Sequence, residues 1–332
     1  MDFGAIGKAA SKSDSLNRPV VAGRVLQFDA DFGCYNCAHL EDSVQSNFKN
    51  LKAHIESKRI LAGAEKTNCH ISLGLKGGRT EIATVKPYQA QRHGVNLEVK
   101  ARVAELRCLL ANYSTDKVTP IANLYTEADD SLTAYQMADL ENSVLMSGDK
   151  DLWMAMGWHC DASTGRMYKV TGYGKTEYRE VGNVKPKLVG EGTSWFWHQI
   201  LMGDTADNIA GLPKLSGKLM NKYVPTKKFN PKRKAGQCGE AKAVAMLKDV
   251  KSDGEAHARV MDAYFQFYGS NYKEMIVEQA FLLWMRRTPA VDDCLKFLNE
   301  TGKGYVFSPR QKAALKKFKQ LCLVQHSIGD NG

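Results

Sequence analysis

Three short acidic runs are the part of this sequence best suited to chemistry. TEADDSL holds Glu127, Asp129 and Asp130; SGDKDLWM holds Asp149 and Asp151; MGDTADNIAGLPK holds Asp204 and Asp207. A further acid, Asp29, closes the apolar run RVLQFD. Carboxylates packed together repel one another, and each resists ionising unless something positive sits among them. No basic residue lies within TEADDSL, although the chain as a whole carries a net charge of +10. A hard divalent cation such as Mg²⁺, which takes oxygen ligands and keeps several waters, would remove the difficulty. Any one group alone also fits an N-cap or a surface acid. Four groups, each at an element boundary, fit that bland reading less well.

The elements around these acids alternate. RVLQFDAD reads as a buried strand, CYNCAHLEDSVQSNFKNLKAHIESK as helical, CHISL as a second strand and GLKGGRT as a glycine-rich loop. LEVKARVAELRCLLANY is an amphipathic helix, VTPIANLY a strand, and ADDSLTAYQMADL a helix whose first turn holds acids. SVLMSGDKD reads as strand then loop, and MYKVTGYGKTEYREV alternates like a hairpin. From SWFWHQILMGD onward the pattern is mainly helical, with Ser308 placed to cap a helix from Pro309. Strand–helix alternation predicts an α/β fold with a mostly parallel central sheet flanked by helices. Ligands of such sheets bind beyond the carboxyl ends of the strands, where these acids fall.

The 332 residues suggest about two domains, and 43% hydrophobic with 25% charged residues describes an ordinary globular protein. Residues 1–19 read as a loosely ordered tail. No apolar run has the length of a signal or membrane-spanning segment, so a cytoplasmic protein without a membrane partner is expected. The eight cysteines are scattered, which fits reduced, mostly buried thiols; Cys34 and Cys37 lack the further ligands a zinc site needs. Eight of the 46 basic residues crowd between Lys214 and Lys234 with no acid among them, leaving 38 basic against 36 acidic residues elsewhere. Such a block suits a polyanionic partner, or else a solvated loop.

Taken in order, these motifs resemble the 5′-to-3′ exonuclease and flap endonuclease family, above all the free-standing exonucleases of bacteriophages, over roughly residues 24 to 250. LQFDAD is similar to the family's first strand and its metal-binding Asp; EADD and SGDKD are similar to its acidic signatures. GDTADNIAGLP is similar to the segment that opens a helix–hairpin–helix-like DNA-binding motif. The resemblance implies a PIN/FEN-like α/β nuclease core over 20–194. A helical DNA-binding region would follow over 195–332, with a basic insertion at 214–237. It implies Asp29, Glu127, Asp129, Asp130, Asp149, Asp151, Asp204 and Asp207 as ligands, direct or through water, of two Mg²⁺ or Mn²⁺ ions. It also implies hydrolysis of DNA phosphodiesters near a 5′ end or flap by a monomer, with primer RNA in a hybrid as a further substrate in phage replication. Within GGRTEIATVKPYQAQR, Lys86 and Arg92 would neutralise charge on the reacting phosphate. Arg79 would face that phosphate and Tyr88 would stack on a base. Lys214, Gly217, Lys218, Gly239 and Lys242 would meet backbone phosphates, in either of two registers.

The chain departs from the family in places. ISLGLKGGR has no acid near Leu73, where the family commonly has one. Gln89 stands at the position of a family lysine, and Asn36 near that of an arginine. The basic insertion divides GLP from CGEAKAVAML. Two rival readings stay open: a DNA-binding relative with a decayed metal site, and an aspartyl-phosphate phosphatase built on Asp29 and Asp31. The second leaves EADD and SGDKD without a role.

Overall fold

Five of six strands in one sheet run parallel, and their carboxyl ends meet at a single edge. The computed structural model describes residues 18–90, 96–181, 184–223 and 238–329. The sheet strands are β1 (Val21–Asp29), β2 (Ala64–Ser72), β3 (Val118–Asn123), β4 (Ser143–Met146), β5 (Gly157–Cys160) and β6 (Met167–Val170), in the order β3-β2-β1-β4-β5-β6. Only β6 runs antiparallel to its neighbour, pairing with β5. The register sets Asp29 beside His70 of β2, and Phe28 beside Met146 of β4. A separate two-stranded ribbon follows, β7 (Lys175–Val181) with β8 (Val184–Glu191).

The crossovers and the C-terminal part are helical. They comprise α1 (Ala30–Cys37), α2 (Val44–Ala62), α3 (Arg79–Ile82), α4 (Leu97–Ala111), α5 (Ala128–Ala138) and α6 (Thr193–Met202). After these come α7 (Gly217–Tyr223), α8 (Glu240–Met246), α9 (Asp253–Tyr268), α10 (Tyr272–Leu283), α11 (Asp293–Thr301) and α12 (Pro309–Gly329). The helix starts follow local chemistry: Asp29, Ser43, Asn96 and Ser252 each accept a backbone N–H of the first turn. No helix among the described residues is long and apolar enough to cross a membrane.

Two apolar cores result. Leu26 and Phe28 of β1 pack with Leu51, Ile55, Ile71, Val103 and Leu106 between the sheet, α1, α2 and α4. The helical core is aromatic, with Trp284 stacked on Phe297 at 4.3 Å and Phe196 edge-on to both. Ile82, Met154 and Leu188 reach into that helical core from the first part of the chain. Cys34 and Cys37 lie buried on α1, as small apolar residues would.

The hairpin expected over residues 167–181 does not form. β6 pairs backward with β5, whose four residues carry too short a pattern to notice, and His159 stacks on Tyr168 at 5.2 Å. Gly172 and Gly174, at φ 54° and 68°, turn the chain away, so β7 pairs forward with β8 instead. Residues 1–17 of the expected tail, Arg92, and residues 224–237 of the basic insertion lie outside the described residues.

A buried acid ties the helical part to the loop that approaches the sheet edge. Glu278 of α10 is 0% exposed and accepts from the Thr84 and Val85 N–H groups, the Thr84 hydroxyl and Arg310 of α12. Four donors on two oxygens leave little room for an amide. Glu278→Gln should therefore lose charge-assisted bonds worth roughly 1.5–3 kcal/mol each, partly compensated. Thermal melting should show a fall of several degrees; an unchanged midpoint would mean that the strut carries no stability.

Candidate active site

The chain leaves β1 toward β2 on one side and returns at β4 on the other, so the crevice between β1 and β4 is the switch point of the sheet. A cleft of about 920 Å³ opens there. Its walls include Asp29, Asp31, Glu127, Asp129, Asp149, Asp151 and Asp207, together with Lys76, Arg107 and Lys150. Most of the acids expected to converge are in this one place.

Local structure explains how each acid arrives. Asp29 ends β1 and caps α1: one oxygen accepts the Phe32 N–H at 3.0 Å, the other the Ser147 hydroxyl at 2.6 Å. Glu127 precedes α5, and Asp129 lies in its first turn, where the helix dipole favours anions. Asp149 caps the 3₁₀ turn Lys150–Met154 through the Asp151 N–H. The bland N-cap reading and the site reading thus coincide at Asp29 and Asp149. Tyr88 joins two distant acids, donating to Glu127 at 3.0 Å and sharing a 3.2 Å contact with Asp207.

Electrostatics separate these acids into two kinds. Burial pushes Asp29 up to about 6, opposed by its bonds from Ser147 and Phe32. Burial and then Asp149 push Asp151 up to about 6, although Lys150, Trp195 and Gln199 all donate to it. Asp129 is raised furthest. The cleft walls strip it of water although it still opens to the cleft, and the strongest charges acting on it are the carboxylates of Asp29, Asp149, Glu127 and Asp31. Among the described residues nothing donates a hydrogen bond to its side chain.

Asp130, one residue on, is the opposite case. It is 2% exposed and does not line the cleft. Arg79 grips it with two bonds of 2.7 and 2.8 Å, and Thr126 and the Arg286 backbone donate as well. Burial opposes ionisation, yet Arg79 and Arg286 hold it down at about 2. Asp204 likewise sits behind the cleft wall, paired with Lys150 at 2.8 Å.

Several of the basic residues expected at the site do not face it. Arg79 is 1% exposed, its guanidinium consumed by Glu127, Asp130 and the Trp284 carbonyl, so it cannot face a phosphate directly. Lys86 is exposed and outside the cleft lining. Lys214 and Lys218 are exposed near the start of α7, and Gly239 and Lys242 lie at the start of α8. Gly217 opens α7, so both registers of the divided motif begin a helix. Five charged residues of the cleft had no place in the nuclease reading of the sequence. Asp31, named there only for the rival phosphatase, accepts the Ser72 N–H at 3.2 Å and pairs with Arg107 at 2.8 Å; Lys76, Lys100 and Lys150 also line the cleft. The spacing of Asp29 and Asp31, and a lysine standing between two cluster acids, were the available signals.

No family model and no curated protein matches the chain. Solved structures do. The T5 5′-exonuclease with divalent zinc ions bound aligns with a TM-score of 0.52 at 14% identity, over 90% of this chain and 98% of that one. A T5 protein co-crystallised with metal ions aligns with a TM-score of 0.50, also at 14% identity and over 90% and 98% of the two chains. This is the 5′-exonuclease fold.

Within the 5′-exonuclease fold the acids of this cleft suit a divalent cation. Asp129 stands among carboxylates in a partly desolvated cleft, and an oxygen-loving cation is what such a cluster lacks. No three acids, histidines or cysteines among the described residues are arranged to hold an ion by themselves. The raised acids also make a prediction. An acid whose folded value exceeds its unfolded one contributes stability at low pH, and loses it as pH rises through the folded value. Asp29→Asn keeps a capping oxygen and removes that loss. Its gain in metal-free stability should be about 1–3 kcal/mol at pH 7.5 and smaller at pH 5, below the folded value of about 6. Equal gains at both pH values would show that Asp29 does not titrate in this window.

Proposed function

We propose that this chain is a divalent-metal-dependent nuclease that hydrolyses DNA phosphodiesters near 5′ ends, as a 5′-to-3′ exonuclease or flap endonuclease. The observation that carries the reading is the cluster around Asp129, at the carboxyl edge of a sheet with the 5′-exonuclease fold. Asp29, Glu127, Asp129, Asp149, Asp151 and Asp207 would hold Mg²⁺ or Mn²⁺, as two ions, directly or through water. Divalent ions bound there supply the charge that ionises a water and stabilises a leaving oxygen. Asp130 and Asp204 act one layer back: Asp130 fixes Arg79, which orients Glu127, and Asp204 fixes Lys150 against Asp151.

The substrate is DNA held by its backbone. Lys214 and Lys218 project near the start of α7, and the open space around Gly239 would let a phosphate approach the start of α8. Arg92 and the remaining lysines of the insertion, outside the described residues, would add positive charge for the same backbone, and Tyr88 closes the cleft beside Glu127. The protein would act as a monomer in the cytoplasm, on duplexes with a 5′ end or flap and on RNA–DNA hybrids, in phage DNA replication. The test is digestion of duplexes and flaps labelled at either the 5′ or the 3′ strand end, with Mg²⁺, with Mn²⁺ and with chelator. Short products released from the 5′ label only when metal is present support the reading. Release from the 3′ label, or cleavage in chelator, would overturn it.

A further inference from the structure

The last helix of the described chain took no part in the sequence motifs. α12 carries Arg310, Lys312, Lys316, Lys317 and Lys319, and not one acid. The block between Lys214 and Lys234 is another basic stretch without acids, and outside these two segments the chain has 33 basic and 36 acidic residues. The positive excess of the whole chain therefore resides in two places, and α12 is one of them. A solvated helix face is the common fate of such lysines, so their placement has to decide.

Packing sorts these cations by face. Gln311, Leu315 and Phe318 are buried on one side of α12. A helix turns about 100° per residue, so Lys312, Lys316 and Lys319 fall within about 60° of one another, along about 10 Å of the axis and clear of that side. All three are exposed, and none pairs with an acid among the described residues. Glu81 of α3 stands near Cys322, which lies on the packed side. Arg310 has a different task. It donates at 2.9 Å to both Glu274 and Glu278 of α10, and Ser308 and Gln311 also bond to Glu274, so the start of the helix is firmly mounted.

The buried side also fixes where the stripe stands. Leu315 and Phe318 lie so close over Gly78 that a Cβ there would meet them at 3.1 and 3.4 Å. Gly78 comes two residues after Lys76, and Gly74, Leu75 and Lys76 line the cleft. α12 is therefore seated on the loop that forms one wall of the cleft. Three lysines about one turn apart on a fixed helix can neutralise backbone phosphates whichever bases those phosphates carry. We infer that the Lys312–Lys316–Lys319 face of α12 is a second duplex-binding surface, which grips the DNA backbone outside the cleft. The choice of DNA as the polyanion rests on the nuclease reading of the site.

The test combines Lys312→Ala, Lys316→Ala and Lys319→Ala in one variant. A control loses the same charge toward the opposite edge of the sheet, through Lys66→Ala, Lys117→Ala and Lys169→Ala, all exposed in the wild type. Binding of a duplex in Ca²⁺ is followed across a range of salt. The slope of log affinity against log salt should fall by about 2–3 in the α12 variant, just under one unit per phosphate contact, on two unrelated sequences alike. The control should keep the wild-type slope, and arginine at the same three α12 positions should restore it. With enzyme saturating and Mg²⁺ present, the single-turnover rate of the α12 variant should stay within about twofold of wild type, because the stripe acts on binding alone. An unchanged slope, or an equal fall in the control, overturns the inference. So does lost binding to phosphatidylglycerol vesicles with the duplex slope intact, which would make the stripe a membrane contact. If the wild-type chain binds duplex but cuts nothing with Mg²⁺ or Mn²⁺, the nuclease reading fails and the slope still decides the role of α12. If it binds no duplex, both fall.

Discussion

Asp129→Asn is expected to give a metal-free protein that is more stable than the wild type and does not cleave. The two effects have one cause. Asp129 resists ionising in a cleft where walls remove water and the strongest neighbouring charges are other carboxylates. Replacing it with a group that cannot ionise should therefore stabilise the metal-free protein at pH 7.5. The carboxylate that this cleft disfavours is what a divalent ion would be drawn to. Cleavage should fall on the order of 10²–10³-fold or more, and Mn²⁺ should lose much of its effect on the melting temperature. A destabilised Asp129→Asn protein, or one that cuts at the wild-type rate, would refute this assignment.

The neighbouring substitution should do the reverse. Asp130→Ala removes the acid that takes two bonds from a guanidinium 1% exposed, and it leaves Arg79 and Arg286 with uncompensated charge in the interior. Breaking a buried pair in this way costs about 3–5 kcal/mol. The Nε of Arg79 is already buried without a hydrogen-bond partner, so the site has no spare acceptor to absorb the change. Asp130→Asn should cost less, because its one amide oxygen can still accept the Arg286 N–H and one Arg79 bond. In urea the midpoint for Asp130→Ala should drop sharply with the slope unchanged. The folded fraction of Asp130→Asn should need the wild-type concentration of Mg²⁺ for half-maximal rate. A large rise in that concentration would make Asp130 a ligand after all. Arg79→Met combined with Asp130→Leu should recover part of the lost stability, which separates the cost of a stranded charge from the cost of a lost contact.

Much of the arrangement could be read from residue order because it depends on local physics. Asp29 closes one strand and Asp149 comes just after another, and each caps the helical turn beyond it through neighbours two or three residues away. The alternation of strands and helices fixed the carboxyl edge as the place to look. The hairpin misassigned over residues 167–181 shows the limit. β5 and β6 are four residues each, too short for periodicity to reveal which partner each strand takes.

By itself, the sequence determined the α/β class and the edge of the sheet where acids gather. Only the tertiary structure decided which acids open into the cleft. Asp129 and Asp130 are adjacent, but successive helical residues point about 100° apart, so one enters the cleft and the other the interior. Their fates then depend on groups far along the chain: Arg79 lies 51 residues from Asp130, and Arg286 lies 156 away. Tyr88 reaches Glu127, 39 residues away, and Asp207, 119 away. A carboxylate's charge is read locally, but whether that charge is neutralised depends on which cations the folded chain brings within a few ångströms.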